Sequence, residues 1–396
     1  MNNNQPQHKK PHILASLSAK EMNRREFLKF SAIIAASLFG IAGVIKELQS
    51  HAATATASLE AEGGVLAGGA TVLAGEGASN GRAVKFDKAT TPPPPPTNLP
   101  TTGDLYKRCA FGVSAGSTGA HAALENLFGA KLKHFVCFKN MGNNGASNWP
   151  AEADWCKSTG HTLDIAWDMV GTNVRFSDLI AGKNNASLDA FFQAAKRHGD
   201  KVVLRMWWEM NDPHGPTKVG SGGESLVSSS AEWVQAWKYV YNRCKVTNDC
   251  TNVKFFWCPN GSDTGNGPLE SFYPGDNYVD IIGFDTYNQP MWAGGAWHSF
   301  DDQFTGIYNR VDALSGNKNI PMMVGETGTV SGPVGGHTRA EWLRQMFTSQ
   351  KFPRLRQIDY FNYDLGGGLD WRWDNGADSI SVCKQYLPDA VQDTGV

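Results

Sequence analysis

From Leu105 onward, short apolar runs rich in β-forming residues alternate with stretches of helical period, and this alternation sets the fold class. The runs extend from Arg108 to Val113, Leu132 to Phe138, Leu163 to Trp167, Lys201 to Trp207, Val253 to Trp257, Val279 to Phe284, Pro321 to Gly325 and Ile358 to Tyr363. Helical patterns run from Ser187 to His198, Ala231 to Cys244, Phe300 to Leu314 and Thr338 to Gln350, the first opening with Ser187 as its cap. Such alternation predicts parallel strands joined by right-handed crossovers. Eight units in about 290 residues predict an α/β chain closed as a (β/α)8 TIM barrel. An open nucleotide-binding sheet is disfavoured, because no Gly-x-Gly-x-x-Gly turn follows the first run.

A barrel carries its chemistry at the C-terminal ends of its strands. The polar residues there are Asp168, the Glu209 to Asp212 stretch, Asn260, the Asp285 to Asn288 stretch, Glu326 with Thr327, and Asp364. Of the eight Glu residues after position 104, only Glu209 and Glu326 directly follow strands, the fourth and the seventh. Two carboxylates across a barrel mouth can divide acid and nucleophile roles, which is the chemistry of glycosidic bond cleavage. Simple ion pairing with a neighbouring Arg or Lys is the alternative for either one alone.

The motifs around them are Leu204-Arg205-Met206-Trp207-Trp208-Glu209-Met210-Asn211, Phe255-Phe256-Trp257-Cys258-Pro259-Asn260, Tyr273-Pro274-Gly275-Asp276, Gly283-Phe284-Asp285-Thr286-Tyr287-Asn288 and Val324-Gly325-Glu326-Thr327-Gly328. In this order the chain resembles glycoside hydrolase family 26 over roughly residues 104 to 396. The resemblance implies Glu209 as general acid/base, Glu326 as nucleophile, and Tyr287 as a residue that orients the nucleophile. It further implies that Trp371 and Arg372 line the sugar subsite beside the cleaved bond, the indole stacking on a pyranose and the guanidinium forking to hydroxyls. Asn211, Trp208 and Trp292 complete the expected substrate-binding set, with Trp207 and Trp297 as weaker stacking candidates. The family has His immediately before the acid/base, where this chain has Trp208. His214, His298 and His337 are the loop residues that could take over the role of that His.

The N-terminus reads as an address. Residues 1 to 55 carry a net +4 and the remainder −6, so the basic charge is gathered there rather than spread as a nucleic-acid-binding field. Arg24-Arg25-Glu26-Phe27-Leu28-Lys29, an apolar run from Phe30 to Ile45, and Ala53-Thr54-Ala55 resemble a twin-arginine signal peptide. Sixteen helical residues span about 24 Å, short of the about 30 Å needed for an anchor. Residues 56 to 103 are rich in Ala, Gly, Thr and Pro, with five prolines from Pro92 to Pro96, and are expected to be a disordered linker. Residues 104 to 396 form the catalytic domain. In an exported chain, Cys244 and Cys250, six positions apart, are the expected disulfide among seven cysteines.

The whole predicts an exported, monomeric, retaining endo-β-glycanase, periplasmic or extracellular, with a polysaccharide as partner and β-1,4-mannan as leading substrate. Mixed-linkage β-glucan, β-1,3-xylan or an exopolysaccharide are the alternatives of the same chemistry, and a binding barrel that has lost catalysis is the alternative of another class. No nucleic acid or membrane contact beyond the signal is expected, and the two-carboxylate mechanism requires no metal or cofactor. Thirteen Trp, all after residue 104, predict an aromatic functional surface.

Overall fold

The computed structural model describes residues 100–140, 149–168, 174–212, 218–219, 224–225, 229–263, 265–290, 296–330, 332 and 334–396, together with the strands Ala70–Ala74 and Arg82–Phe86. The signal-like segment before residue 56 lies outside them. Eight parallel strands close a barrel in chain order: β1 Ala110–Ser114, β2 His134–Asn140, β3 Thr162–Asp168, β4 Val202–Met206, β5 Val253–Trp257, β6 Ile281–Asn288, β7 Met322–Thr329 and β8 Leu355–Phe361. Each expected run overlaps one of these strands, though only β4 and β5 lie wholly within theirs. They read as near-continuous apolar runs because a parallel barrel buries both faces of every strand.

The two faces separate by alternation. On β4, Val202, Leu204 and Met206 join the large outer core, while Val203 packs with Ala166, Phe256, Cys258, Ile281 and Met323 in a smaller second cluster inside the barrel. The outer core is closed by α1 Thr118–Phe128, α2 Trp149–Thr159, α3 Asn185–His198, α4 Ser230–Asn242, α5 Phe300–Leu314, α6 Arg339–Thr348 and α7 Ala377–Tyr386. Side chains of Ser117, Ser229, Ser299 and Thr338 accept amide hydrogens at the starts of α1, α4, α5 and α6. Ser229 and Thr338 have Glu232 and Glu341 three positions on, the spacing of a capping box. Ser187 is not a cap: α3 begins two residues earlier, at Asn185, and its N-cap is Asn184.

Three further expectations meet the structure here. Cys244 and Cys250 are joined as a disulfide, and the free cysteines Cys109, Cys137, Cys156, Cys258 and Cys383 are all buried. The linker is not wholly without structure, because Ala70–Ala74 pairs antiparallel with Arg82–Phe86, Val72 opposite Val84. Averaging composition over the segment hid two short β-forming runs, Thr71-Val72-Leu73 and Val84-Lys85-Phe86. The aromatic surplus belongs chiefly to the core: Trp149, Trp167, Trp207, Trp233, Trp237, Trp257, Trp342 and Trp373 are fully buried. Large rings fill the gap between barrel and helices, where each buries 150 to 250 Å² by rough reckoning.

Candidate active site

Glu326 sits on β7 opposite Asp285 of β6, just past an irregularity in register between Phe284 and Asp285. A bulge there re-aims the following side chains, as bulges beside active sites do. Both Glu326 oxygens accept hydrogen bonds: Oε1 from Arg205 Nη2 at 2.7 Å, and Oε2 from the Tyr287 hydroxyl at 2.5 Å. Acceptance at both oxygens is the bonding pattern of a carboxylate. Arg205 rises from β4, wholly buried, and its Nη1 donates to Asp285 at 2.8 Å. Space for that pair comes from Gly325, where a Cβ would stand 2.7 Å from Asp285 Oδ1 and 2.8 Å from Arg205 Cδ.

The electrostatics follow from one guanidinium serving two carboxylates. Burial alone would lower Arg205, but Asp285 and Glu326 outweigh it and drive its pKa well above normal, so it stays charged. Burial, opposed by Arg205 and aided by the charges of Glu326 and Glu209, pushes the Asp285 carboxyl up. The Cys258 thiol donates to Asp285 at 3.0 Å. Burial and the charges of Glu326, Asp285 and Glu209 raise Tyr287 well above its usual range, so its hydroxyl remains a donor.

Glu209 follows the end of β4 on left-handed backbone, φ 52°, as does Trp207 at 50°. A non-glycine residue in that region costs about 1 to 2 kcal/mol, and such strain clusters at functional sites. Its amide donates to the Cys258 carbonyl at 2.8 Å, which ties the turn to the end of β5. Glu209 is half-buried, and its charge reaches both Asp285 and Tyr287, the two residues beside Glu326.

The remaining expected residues divide into those at the mouth and those beneath it. Trp371 is buried with its ring 5.2 Å from Tyr287 and 5.8 Å from Phe361. Trp208 packs on Phe138 at 5.5 Å and covers the Arg205 guanidinium at 5.2 Å. Arg372 lies beside Trp371 in sequence, but its guanidinium is held by Asp370 at 2.9 and 3.0 Å and by Asp364 at 3.1 Å. Asn211 is fully buried, and its amide bridges to the Asn260 backbone and to Asp263, so it joins the loops after β4 and β5 instead of facing the mouth. Trp207 is also fully buried, against Phe176 and Trp233, which removes it as a stacking surface.

His337 stacks on Trp297 at 4.1 Å and bonds Glu341. His298 borders a cleft of about 420 Å³ beside Tyr287, whose walls include Gly261, Thr286, Gln303 and Arg310. Trp292 and His214 lie outside the described residues. Arg205, Phe138 and Cys258 are the site residues to which sequence reasoning gave no role. A lone Arg inside an apolar strand run is the signal that could have marked Arg205, since a buried charge needs partners.

Comparison with known proteins places this geometry in context. Residues 148–334 match the model of glycosyl hydrolase family 26. The chain is 26% identical over 251 residues to endoglucanase H of Acetivibrio thermocellus, an overlap of 61% of this chain and 26% of that protein. It is 24% identical over 207 residues to a mannan endo-1,4-beta-mannosidase of Bifidobacterium adolescentis, covering 47% of this chain and 20% of the relative. The matched part thus spans only about a quarter of the length of the first of these relatives and a fifth of the second. Among solved structures, a modular endo-beta-1,4-mannanase from Cellulomonas fimi superposes with a TM-score of 0.51 at 16% identity, covering 76% of this chain and 80% of that one. At that identity the likeness is one of fold.

Proposed function

Taking the barrel as a family 26 glycoside hydrolase domain from its match over residues 148–334, we propose that the chain is a retaining endo-β-glycanase. Glu209 acts as general acid/base and Glu326 as nucleophile. The observation that carries this reading is the fixing of Glu326, within β7, by Arg205 and Tyr287, while Glu209, half-buried on strained backbone after β4, shares their electrostatic field. In the first step a Glu326 oxygen attacks the anomeric carbon as Glu209 gives its proton to the departing glycosidic oxygen. A glycosyl ester forms and the C–O bond breaks. In the second, Glu209 takes a proton from water, whose oxygen displaces Glu326 and restores the configuration.

The leading substrate is β-1,4-mannan, supported by the mannanase relative. A β-glucan is the second reading, favoured by the endoglucanase relative and by Trp208, whose bulk reshapes the subsite next to Glu209. Trp371 lies beside Tyr287 and is the stacking platform of this proposal. Export through the twin-arginine-like N-terminus belongs to the same proposal.

The test is reducing-end release by the full chain on galactomannan, glucomannan, mixed-linkage glucan and β-1,3-xylan, with the anomer of the first product followed by NMR. Release of the β-anomer that disappears in Glu326→Ala and Glu209→Ala, both still folded, is the expected result. An α-anomer as first product would overturn retention, and undiminished turnover in either variant would overturn the assignment of that residue.

A further inference from the structure

Beneath the candidate active site the barrel interior holds a second polar cluster. It comprises His134 of β2, Asp164 of β3 and Asp359 of β8, each at most 1% exposed. Barrel interiors are normally filled by branched apolar side chains, so two carboxylates and an imidazole there require an account. Gly112 of β1 makes the room: a Cβ at that position would stand 2.1 Å from Asp359 Oδ1 and 2.6 Å from the His134 Cβ.

The cluster is under-supplied with donors. Among the described residues none donates to either oxygen of Asp164, and His134 Nε2 and Gln357 Oε1 are likewise buried without a partner. Asp359 takes Gln357 Nε2 at 2.6 Å and meets His134 Nδ1 at 3.3 Å. Arg205, above them, is already engaged by Asp285 and Glu326. Burying two carboxylates with so few donors is costly unless a cation or protons join them.

We propose that His134, Asp164 and Asp359 bind a structural divalent cation inside the barrel, of the zinc class that accepts mixed imidazole and carboxylate ligands. One ligand atom from each lies within 4.8 Å of the others. The 3.3 Å between His134 Nδ1 and Asp359 Oδ2 matches the edge of a tetrahedron with bonds of about 2.0 Å. Both carboxylates then serve as anionic ligands, His134 binds as the neutral imidazole, and any proton shared by the acids is released. Burial, against the pull of Arg205, raises the Asp164 carboxyl well above the usual range, so a shared proton is the competing occupant. No local zinc motif marks the site, because its ligands stand on three strands far apart in sequence.

A second group, His121, Glu125 and His161, supplies the control. There Glu125 Oε1 already accepts the Leu132 amide at 2.7 Å and meets His161 Nε2 at 2.8 Å. The test grows the full chain in zinc-supplemented medium, unfolds it in chelator-free guanidinium, and measures released metal. Melting temperature is compared after refolding with Zn²⁺ or with EDTA. Expected are about one zinc per wild-type chain, none from Asp164→Asn or His134→Asn, full retention in Glu125→Gln, and a higher melting temperature after refolding with Zn²⁺. No metal from wild type and no effect of Zn²⁺ would overturn the proposal and leave the shared proton. So would a metal that Glu125→Gln loses and Asp164→Asn keeps. If the Asn variants fail to fold, anomalous difference density at the zinc edge in wild-type crystals decides, its absence between His134 and Asp164 counting against the site.

Discussion

The ring of Trp208 lies 5.2 Å from the guanidinium carbon of Arg205, so the indole covers the cation that holds Glu326. The indole is 8% exposed and packs on Phe138. Truncating a buried Trp costs about 3 to 5 kcal/mol, and a position at the barrel mouth belongs at the lower end. Trp208→Ala should therefore lose about 3 kcal/mol in urea unfolding, with Trp208→Phe recovering most of it. A loss below about 1 kcal/mol would show that the ring does not pack on Arg205.

Arg205 itself holds two acids with one planar fork. Replacing it by Met leaves Asp285 and Glu326 buried without their cation, a change that typically costs about 3 to 5 kcal/mol. Arg205→Lys keeps a charge but cannot present two nitrogens to two carboxylates. The Lys variant should fold, and its kcat should fall about 100-fold, the equivalent of roughly 2.7 kcal/mol in the barrier. Steady-state kinetics with a melting curve on the same sample separates the two effects, and wild-type turnover in the Lys variant would remove Arg205 from the site.

Tyr287 gives a narrower test, since its hydroxyl contacts Glu326 while its ring packs against Phe361 and Trp371. Tyr287→Phe deletes the hydrogen bond and keeps the packing. A hydrogen bond to a charged group contributes about 1.5 to 3 kcal/mol, so kcat should drop about 10- to 100-fold with KM little changed. A rise in KM at constant kcat would instead make Tyr287 a substrate contact.

Barrel strands buried on both faces leave continuous β-rich runs, which is why the eight strands of the closed barrel could be read from the sequence, and carboxylates that interrupt such runs stand out as candidates, as Glu209 and Glu326 do. Residues pointing into the barrel were not legible. Arg205, Asp164 and Asp359 occupy alternate positions in apolar strands, and alternation by itself does not say whether the polar face meets water or another polar side chain. The same blindness made Asn211 look like a sugar ligand, although its amide is consumed in joining two loops. Trp207 and Trp208, adjacent in sequence, part company in the same way: one enters the outer core and the other covers Arg205.

At the opposite, N-terminal side of β3, Glu125 makes stability depend on acid. Burial alone would raise its carboxyl, but the His121 ring 3.8 Å away and hydrogen-bond contacts with His161 and the Leu132 amide outweigh burial and hold it far below the usual range. Burial lowers the neighbouring His161, against the pull of Glu125. Both groups therefore bind protons less readily folded than unfolded. Their contributions are present above the unfolded values and are lost as pH falls, below about 6.5 for His161 and below about 4.3 for Glu125. Glu125→Gln keeps the shape and removes the charge, so it should cost about 1.5 to 3 kcal/mol near neutral pH and less as the solution is acidified. Urea midpoints measured from about pH 7 to about pH 2 should show the wild-type and Gln curves converging only below about pH 4.3. Parallel curves across that range would mean that the carboxylate carries no folding energy here, and that the cluster holds α1 to β3 by packing of the Trp155, His121 and His161 rings alone.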